Sequence, residues 1–454
     1  MSFEGVSMSS VSQEEAETKK TSELSLRLHE YYKGKIEVEL KCPVSSFQDF
    51  SVWYTPGVAK PSLAIADDAD LSYEYTNRGN LIAILSDGSR VLGLGKVGPY
   101  AALPVMEGKS LLYKYLGGVD AYPIVVGTET AEELVRTALY LSPSFGGINL
   151  EDIEAPKCFS VLEQLRKDST IPVWHDDQQG TATVTIAALK NALNLTSRKL
   201  KESKVALVGA GAASVATARL LFLSGLPKES LIVCDSHGIL HPEREDLDKL
   251  QLRNPWKYSL AIETNGERKK GGIKEALEGA DICISAAAPG PGVIKPDWVS
   301  KMSKMSIVFA LANPVPEIWP REAKNAGAAI VATGRSDFPN QVNNSLVFPA
   351  VFRGALDVRA RSITDEMCLA AADSLASYAE VRGLTDTHIL PTMDEWELYT
   401  YEAAAVGTKA IAQNLARRTK SESELRDMAY RKISSARNKV KVLMKEGLIP
   451  NVPG

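Results

Sequence analysis

The chain has 454 residues, 44% of them apolar and 24% charged, with a formal net charge of −4. That length allows two or three domains, each with its own core, and the charge balance excludes nucleic acid or an acidic membrane surface as a general partner. No run approaches the roughly 18 uncharged apolar residues of a membrane span, and Met1 to Lys20, rich in Ser and Glu, lacks the apolar centre of a secretory signal.

In chain order, residues 1–22 read as a flexible lead-in, and Leu24 to Tyr32 as a first helix. A mixed α/β region over 23–178 follows, with apolar runs of strand length at Leu81–Leu85 and Ala121–Val126 bounded by Gly, Asn and Asp. The helical pattern Thr181–Leu193 opens a second region, 179–415. In it the runs Val205–Val208, Leu231–Cys234, Asp281–Ser285, Ile307–Leu311 and Ala329–Ala332 read as strands, and Ala212–Leu223 and Ile273–Leu277 as helices. Such alternation predicts a parallel sheet covered on both faces, a Rossmann-type domain. A charged insert, Glu243 to Lys270, interrupts it. From Asp365 the pattern is helical, with an apolar stripe over Ala403–Leu415 and a charged surface helix over Ser421–Lys445, within a helical extension at 416–454. The expected class is α/β: an N-terminal mixed domain, a Rossmann-type domain and C-terminal helices. Five scattered cysteines, odd in number, predict reduced thiols of a cytoplasmic protein rather than a disulfide frame.

Two stretches carry chemistry. Glu151-Asp152 and Asp176-Asp177 stand beside apolar sequence, where a carboxylate must be paired or hold a cation. An oxygen-only set with no cysteine and no paired histidines suits Mg²⁺ or Mn²⁺. The alternative is a helix cap at Asp176 or Asp177 and a surface Glu-Asp pair. The second stretch, Gly209-Ala210-Gly211-Ala212-Ala213-Ser214, lies between a strand and a helix, where glycines permit a tight turn and close approach of a pyrophosphate. Asp235 closes the next strand, where an acid can accept hydrogen bonds from ribose hydroxyls; a tight turn without a ligand is the alternative. An acid at Asp235 favours NAD, while Ser236, His237, Lys269 and Lys270 could offset a 2′-phosphate, so NAD and NADP both stay open.

Taken in order, Tyr54-Thr55-Pro56-Gly57-Val58-Ala59, Arg90 to Gly95, Pro104 to Lys109, Ile148 to Ile153, His175 to Thr181, the glycine loop and Leu311-Ala312-Asn313-Pro314 resemble the malic enzymes, in their compact prokaryotic-type form. The resemblance implies oxidative decarboxylation of malate to pyruvate and CO₂ with NAD or NADP and Mg²⁺ or Mn²⁺, in a homodimer with no nucleic-acid or membrane partner. It implies that Lys109 is the base for the C2 hydroxyl and Tyr54 the acid toward C3. It also implies that Glu151, Asp152 and Asp177 ligate the metal, with Asp176 behind them. Arg90 would grip a carboxylate, and Asn313, Asn343 and Asn344 would touch malate or nicotinamide. Gly209, Gly211, Ala212, Ala213 and Asp235 would hold the dinucleotide. Taken one by one, Lys109 could equally be a solvated lysine, Tyr54 a packed aromatic, and Asn343 and Asn344 a loop turn. A malolactic enzyme, which releases lactate and keeps its NAD, and a non-catalytic dinucleotide sensor are the alternative functions.

Overall fold

The computed structural model describes residues 7–91 and 93–453, with side chains from residue 19 onward. The first helix runs over Ser7–Tyr32 rather than starting at Leu24, because Gln-Glu-Glu-Ala-Glu and Lys-Lys are strong helix formers. Residues 1–6 of the expected lead-in lie outside the described residues.

The strands are β1 (Leu81–Ser86), β2 (Asp120–Val125), β3 (Gly147–Leu150), β4 (Val173–His175), β5 (Val205–Val208), β6 (Leu231–Asp235), β7 (Gly238–Ile239), β8 (Ile282–Ser285), β9 (Ile307–Ala310) and β10 (Ile330–Thr333). β1 to β4 form a sheet in the order β2-β1-β3-β4, all parallel. The other six form a sheet in the order β10-β9-β8-β5-β6-β7, parallel except for the short β7. The order reverses between β5 and β8, the switch point at which open α/β sheets bind ligands. Both faces are covered, as the alternating sequence predicts. In β5, Val205 and Leu207 join one apolar core and Ala206 and Val208 another. The larger core is continuous from β1 through the Thr181–Leu195 helix into the second sheet.

The C-terminal helices Phe348–Asp357, Asp365–Arg382, Leu398–Ala412 and Glu422–Lys445 lock the first sheet in place. Arg353 is fully buried. It pairs with Asp357 (2.8 Å) and donates to Asn80 Oδ1 (2.6 Å) beside β1, while Lys432 of the last helix also reaches Asp357 (2.6 Å). Buried charges of this kind need their partners: removing one leaves the other uncompensated, at about 3–5 kcal/mol. The five cysteines are all free, and four are buried. No described helix is long and apolar enough to cross a membrane.

Candidate active site

Parallel pairing explains how acids far apart in sequence meet. Leu85 of β1 is level with Leu150 of β3, and Leu150 with His175 of β4. The next residues, Glu151-Asp152 and Asp176-Asp177, therefore leave the same carboxyl edge side by side. Asp176–Gly180 forms a single π-helical turn before the Thr181–Leu195 helix, a distortion common at functional sites. Neither Asp176 nor Asp177 caps that helix. Gly180 has to be bare, since a Cβ there would collide with Asp176 Oδ1 and stand 3.2 Å from Asn344 Cβ.

The helix Pro99–Gly117 lays Lys109 over this edge, buried. Its Nζ donates to Glu151 Oε1 (2.7 Å) and to Asp176 Oδ2, and lies over the Phe348 ring. Tyr113, one helical turn on, donates to Asn149 Oδ1 (2.8 Å), whose amide in turn donates to Glu151 Oε2 (2.8 Å). Asp176 also accepts from Trp174 Nε1 (3.2 Å) and from Asn344 Nδ2. Asp152 holds φ +54°, and its N–H donates to Asp177 Oδ2 (2.9 Å). Oxygens of Glu151, Asp152 and Asp177 come within 4.8 Å of one another.

The electrostatics follow from burial. Burial raises Glu151 well above the ordinary carboxylate range, with Lys109 opposing and Asp177, Asp176 and Asp152 adding repulsion. Burial likewise raises Asp176 and Asp177 against the pull of Lys109. For Lys109, burial presses the pKa down, but Asp176, Glu151 and Asp177 outweigh it and hold the ammonium above its usual range. His175 is pushed down to about 3, chiefly by burial, and is a neutral imidazole 3.6 Å from Asp177. Three crowded carboxylates whose charges burial disfavours are a hard-donor set matched to a small dication.

At the second sheet, Gly209 (φ +102°) takes a conformation closed to most residues, and a Cβ there would lie 2.6 Å from the Ala286 carbonyl oxygen. Gly211 precedes the Ala212–Leu223 helix, so Ala212 and Ala213 present that helix's free N–H groups at the switch point. Asp235 ends β6, and it is already engaged. It accepts from the His237 N–H (2.8 Å), Arg244 Nη1 (2.9 Å) and Lys257 Nζ (3.1 Å). Burial opposes these contacts, yet together they hold its pKa below the ordinary value. Arg244 and Lys257 come from the charged insert, which folds into helices Leu247–Arg253 and Pro255–Glu263.

The two profiles "Malic enzyme, N-terminal domain" and "Malic enzyme, NAD binding domain" match residues 33–141 and 178–412. The chain belongs to the malic enzyme family. It is 44% identical to a bifunctional malic/malolactic enzyme of Bacillus subtilis, over 89% of this chain and 96% of that relative. It is 45% identical to an NAD-dependent malic enzyme of Geobacillus stearothermophilus, over 85% of this chain and 78% of the relative. The crystal structure of Entamoeba histolytica malic enzyme superposes with a TM-score of 0.93 at 45% identity, covering 96% of this chain and 91% of that one.

Of the residues expected of a malic enzyme, Lys109, Glu151, Asp152, Asp176, Asp177 and Asn344 are gathered in one place. Arg90 is near: its N–H donates to the Asp152 carbonyl (3.0 Å), and its charge helps lower Asp177 against burial. Asn313 begins the turn after β9 and faces the first domain, where a Cβ on Gly93 would lie 2.5 Å from its carbonyl oxygen. Asn343 behaves as a turn residue, its Oδ1 capping the Ser345 N–H (2.9 Å). Tyr54 is not gathered: it is 72% exposed, and its hydroxyl makes no hydrogen bond to any described residue. Asn149, Tyr113 and Trp174 escaped the sequence reading, since each acts by holding another residue. Glu317 did too. Fully buried, it accepts from Ser285 Oγ (2.7 Å) and the Ala287 (2.8 Å) and Ala312 (3.1 Å) N–H groups, fastening the ends of β8 and β9.

Proposed function

We propose that this malic enzyme converts malate to pyruvate and CO₂ while reducing NAD⁺ or NADP⁺. The observation that carries the proposal is Lys109 seated against a three-carboxylate cluster at one strand edge. Glu151, Asp152 and Asp177 would hold a divalent cation, Mg²⁺ or Mn²⁺, which would supply Lewis-acid pull on the substrate's C2 oxygen, and the turn over residues 209–213 would hold the dinucleotide that supplies hydride acceptance.

The protein's own groups do the rest. Burial presses the Lys109 pKa down against the pull of Asp176, Glu151 and Asp177, so a cation that offset those charges would move it toward the range of a general base. As the neutral amine, oriented by its hydrogen bond to Asp176, Lys109 would take the C2 hydroxyl proton and become the ammonium. Asn344 and Trp174 keep Asp176 in place. We assign Arg90, beside Asp152, to a carboxylate of malate and Asn313, at the turn after β9, to malate or the nicotinamide. Loss of CO₂ leaves an enolate of pyruvate that needs a proton at C3, the role of Tyr54.

The cofactor reading rests on Asp235. A free carboxylate there would repel a 2′-phosphate, but Arg244 and Lys257 neutralise it. We infer that both dinucleotides are used, with Lys257 able to turn from Asp235 to the phosphate. A malolactic outcome has one support, the name of the Bacillus relative.

Initial rates with malate, Mn²⁺ and either dinucleotide test the proposal. Steady formation of reduced cofactor with equal pyruvate is expected, and lactate without net reduction would give the malolactic reading instead. A protein that binds dinucleotide but leaves malate unchanged would make it a sensor.

A further inference from the structure

We infer that Trp256 positions Lys257 for the choice between NADP⁺ and NAD⁺, by docking the charged insert onto the first domain. This rests on the proposed role of Lys257 at Asp235. It deepens that reading by tracing cofactor preference to a contact between the two domains.

The first observation is one turn of helix that serves two partners. The helix Pro255–Glu263 opens on the Asn254 cap, whose Oδ1 accepts the Lys257 N–H (3.1 Å), with Pro255 at its first position. Both features fix a helix start. Successive side chains leave a helix about 100° apart, so Trp256 and Lys257 diverge. Lys257 Nζ reaches Asp235 Oδ2 (3.1 Å) at the end of β6. Trp256 turns to the other domain. Its ring lies 4.9 Å from that of Phe159, and its Nε1 donates to Glu163 Oε1 (2.5 Å).

The second observation is that this landing place is tied to the carboxylate cluster. Phe159 and Glu163 belong to the helix Lys157–Asp168, between β3 and β4. Phe159 is buried, and the carbonyl of Cys158 beside it accepts from Gln178 Nε2 (3.1 Å). Gln178 follows Asp177 in the π-helical turn. At the start of the same helix, Lys157 Nζ pairs with Asp87 (2.5 Å), the residue after β1. The platform under Trp256 is therefore fixed to the strand edge that carries Lys109's partners.

The third observation is how open the seam is around that contact. A cavity of about 680 Å³ lies beside Trp256, lined by Glu154 and Lys157 of the first domain and by Arg253 of the insert. An indole that packs on a ring and donates its N–H is a strong anchor at such a place. Further along the helix, Leu260 and Ala261 are buried in the apolar core. Shortening Trp256 should therefore loosen the first turn without unfolding the insert. Lys257 then loses its fixed place beside Asp235. A 2′-phosphate, which draws on the Lys257 ammonium, feels that loss; the bare ribose of NAD does not.

Dissociation constants of NADPH and NADH, read from the cofactors' own fluorescence without malate, test the inference on the whole enzyme. Trp256→Ala should weaken NADPH by about three- to tenfold and leave NADH nearly unchanged. Trp256→Phe keeps a ring and loses the N–H, and should shift the preference the same way by less. Glu163 is exposed, so Glu163→Ala breaks the same contact from the first domain without touching the insert, and should match Trp256→Phe. In the Lys257→Ala background, Trp256→Ala should move the NADPH-to-NADH ratio no further, since both act on one contact. In turnover with malate, the loss should fall on KM for NADP⁺ and spare kcat. A ratio unmoved by Trp256→Ala and Glu163→Ala, an equal weakening of both cofactors, or an effect that multiplies with that of Lys257→Ala overturns the inference. If Lys257→Ala itself leaves the ratio unmoved, the cofactor reading falls and the inference with it. None of these binding outcomes depends on malate being the substrate.

Discussion

Two acidic places in this chain behave in opposite ways. At the edge of the first sheet, Glu151, Asp176 and Asp177 are crowded, the first two buried and the third half-buried, and their pKa values are raised. At the end of β6, Asp235 is also largely buried, yet its pKa is lowered, because Arg244, Lys257 and a backbone N–H reach it. The first place has more carboxylates than Lys109 and Arg90 can balance, which favours a cation from solution. The second has its cations built in. We infer that the number of cations within reach of an acid, rather than the acid alone, sets metal binding and cofactor choice.

The largest expected effect comes from removing what the first place lacks. Chelation of divalent ions should abolish malate oxidation, and Asp177→Asn should need far more Mn²⁺ for the same rate; a variant indifferent to added metal would make Asp177 structural. Next, Lys109→Ala should lower malate oxidation by about 10²–10⁴-fold, the scale of a lost general base. Decarboxylation of supplied oxaloacetate should partly survive, because the base acts before that step, and an equal loss of both activities would refute the assignment.

The contrast sharpens at Asp235. Lys257→Ala should cost about tenfold in kcat/KM for NADP⁺, roughly 1.4 kcal/mol, and much less for NAD⁺. Equal losses for the two would mean that Lys257 only props the loop.

A pH effect separates the two places as well. Groups raised in the folded state bind more protons there than when unfolded, so without metal these carboxylates cost stability as pH climbs from the ordinary carboxylate range through their raised values. Added Mn²⁺ should therefore raise Tm more near neutral pH than in mild acid, as calorimetry would read it. A gain that does not depend on pH would mean the ion binds elsewhere. The smallest effect is expected at Asn343→Ala, about 1 kcal/mol of stability from a lost cap, with malate kinetics unchanged; a raised KM for malate would return Asn343 to the site.

Much of this was legible in the sequence. The strands of the second sheet and the helix Ala212–Leu223 follow from apolar period and the glycine turn. The carboxylate cluster follows from acids in apolar surroundings, and Lys109 and Asn344, both named by the family resemblance, meet beside it at Asp176. Three strands were not read: β3 and β4, which run into the acidic motifs rather than standing as separate apolar runs, and the two-residue β7. The charged insert hid the partners of Asp235, since Arg244 and Lys257 stand 9 and 22 residues away from it and only folding joins them. The Tyr113–Asn149–Glu151 chain was hidden for the same reason. Asn343 and Asn344 are adjacent and chemically identical, and only the backbone turn decides which one faces Asp176.

Binding of Mn²⁺ to the metal-free protein, followed by electron paramagnetic resonance at neutral pH, tests the central claim most directly. One tightly held ion per chain is predicted, lost in Glu151→Gln and Asp177→Asn and retained in Asn343→Ala. Full binding in the two carboxylate variants, or none in the unaltered protein, would contradict the account.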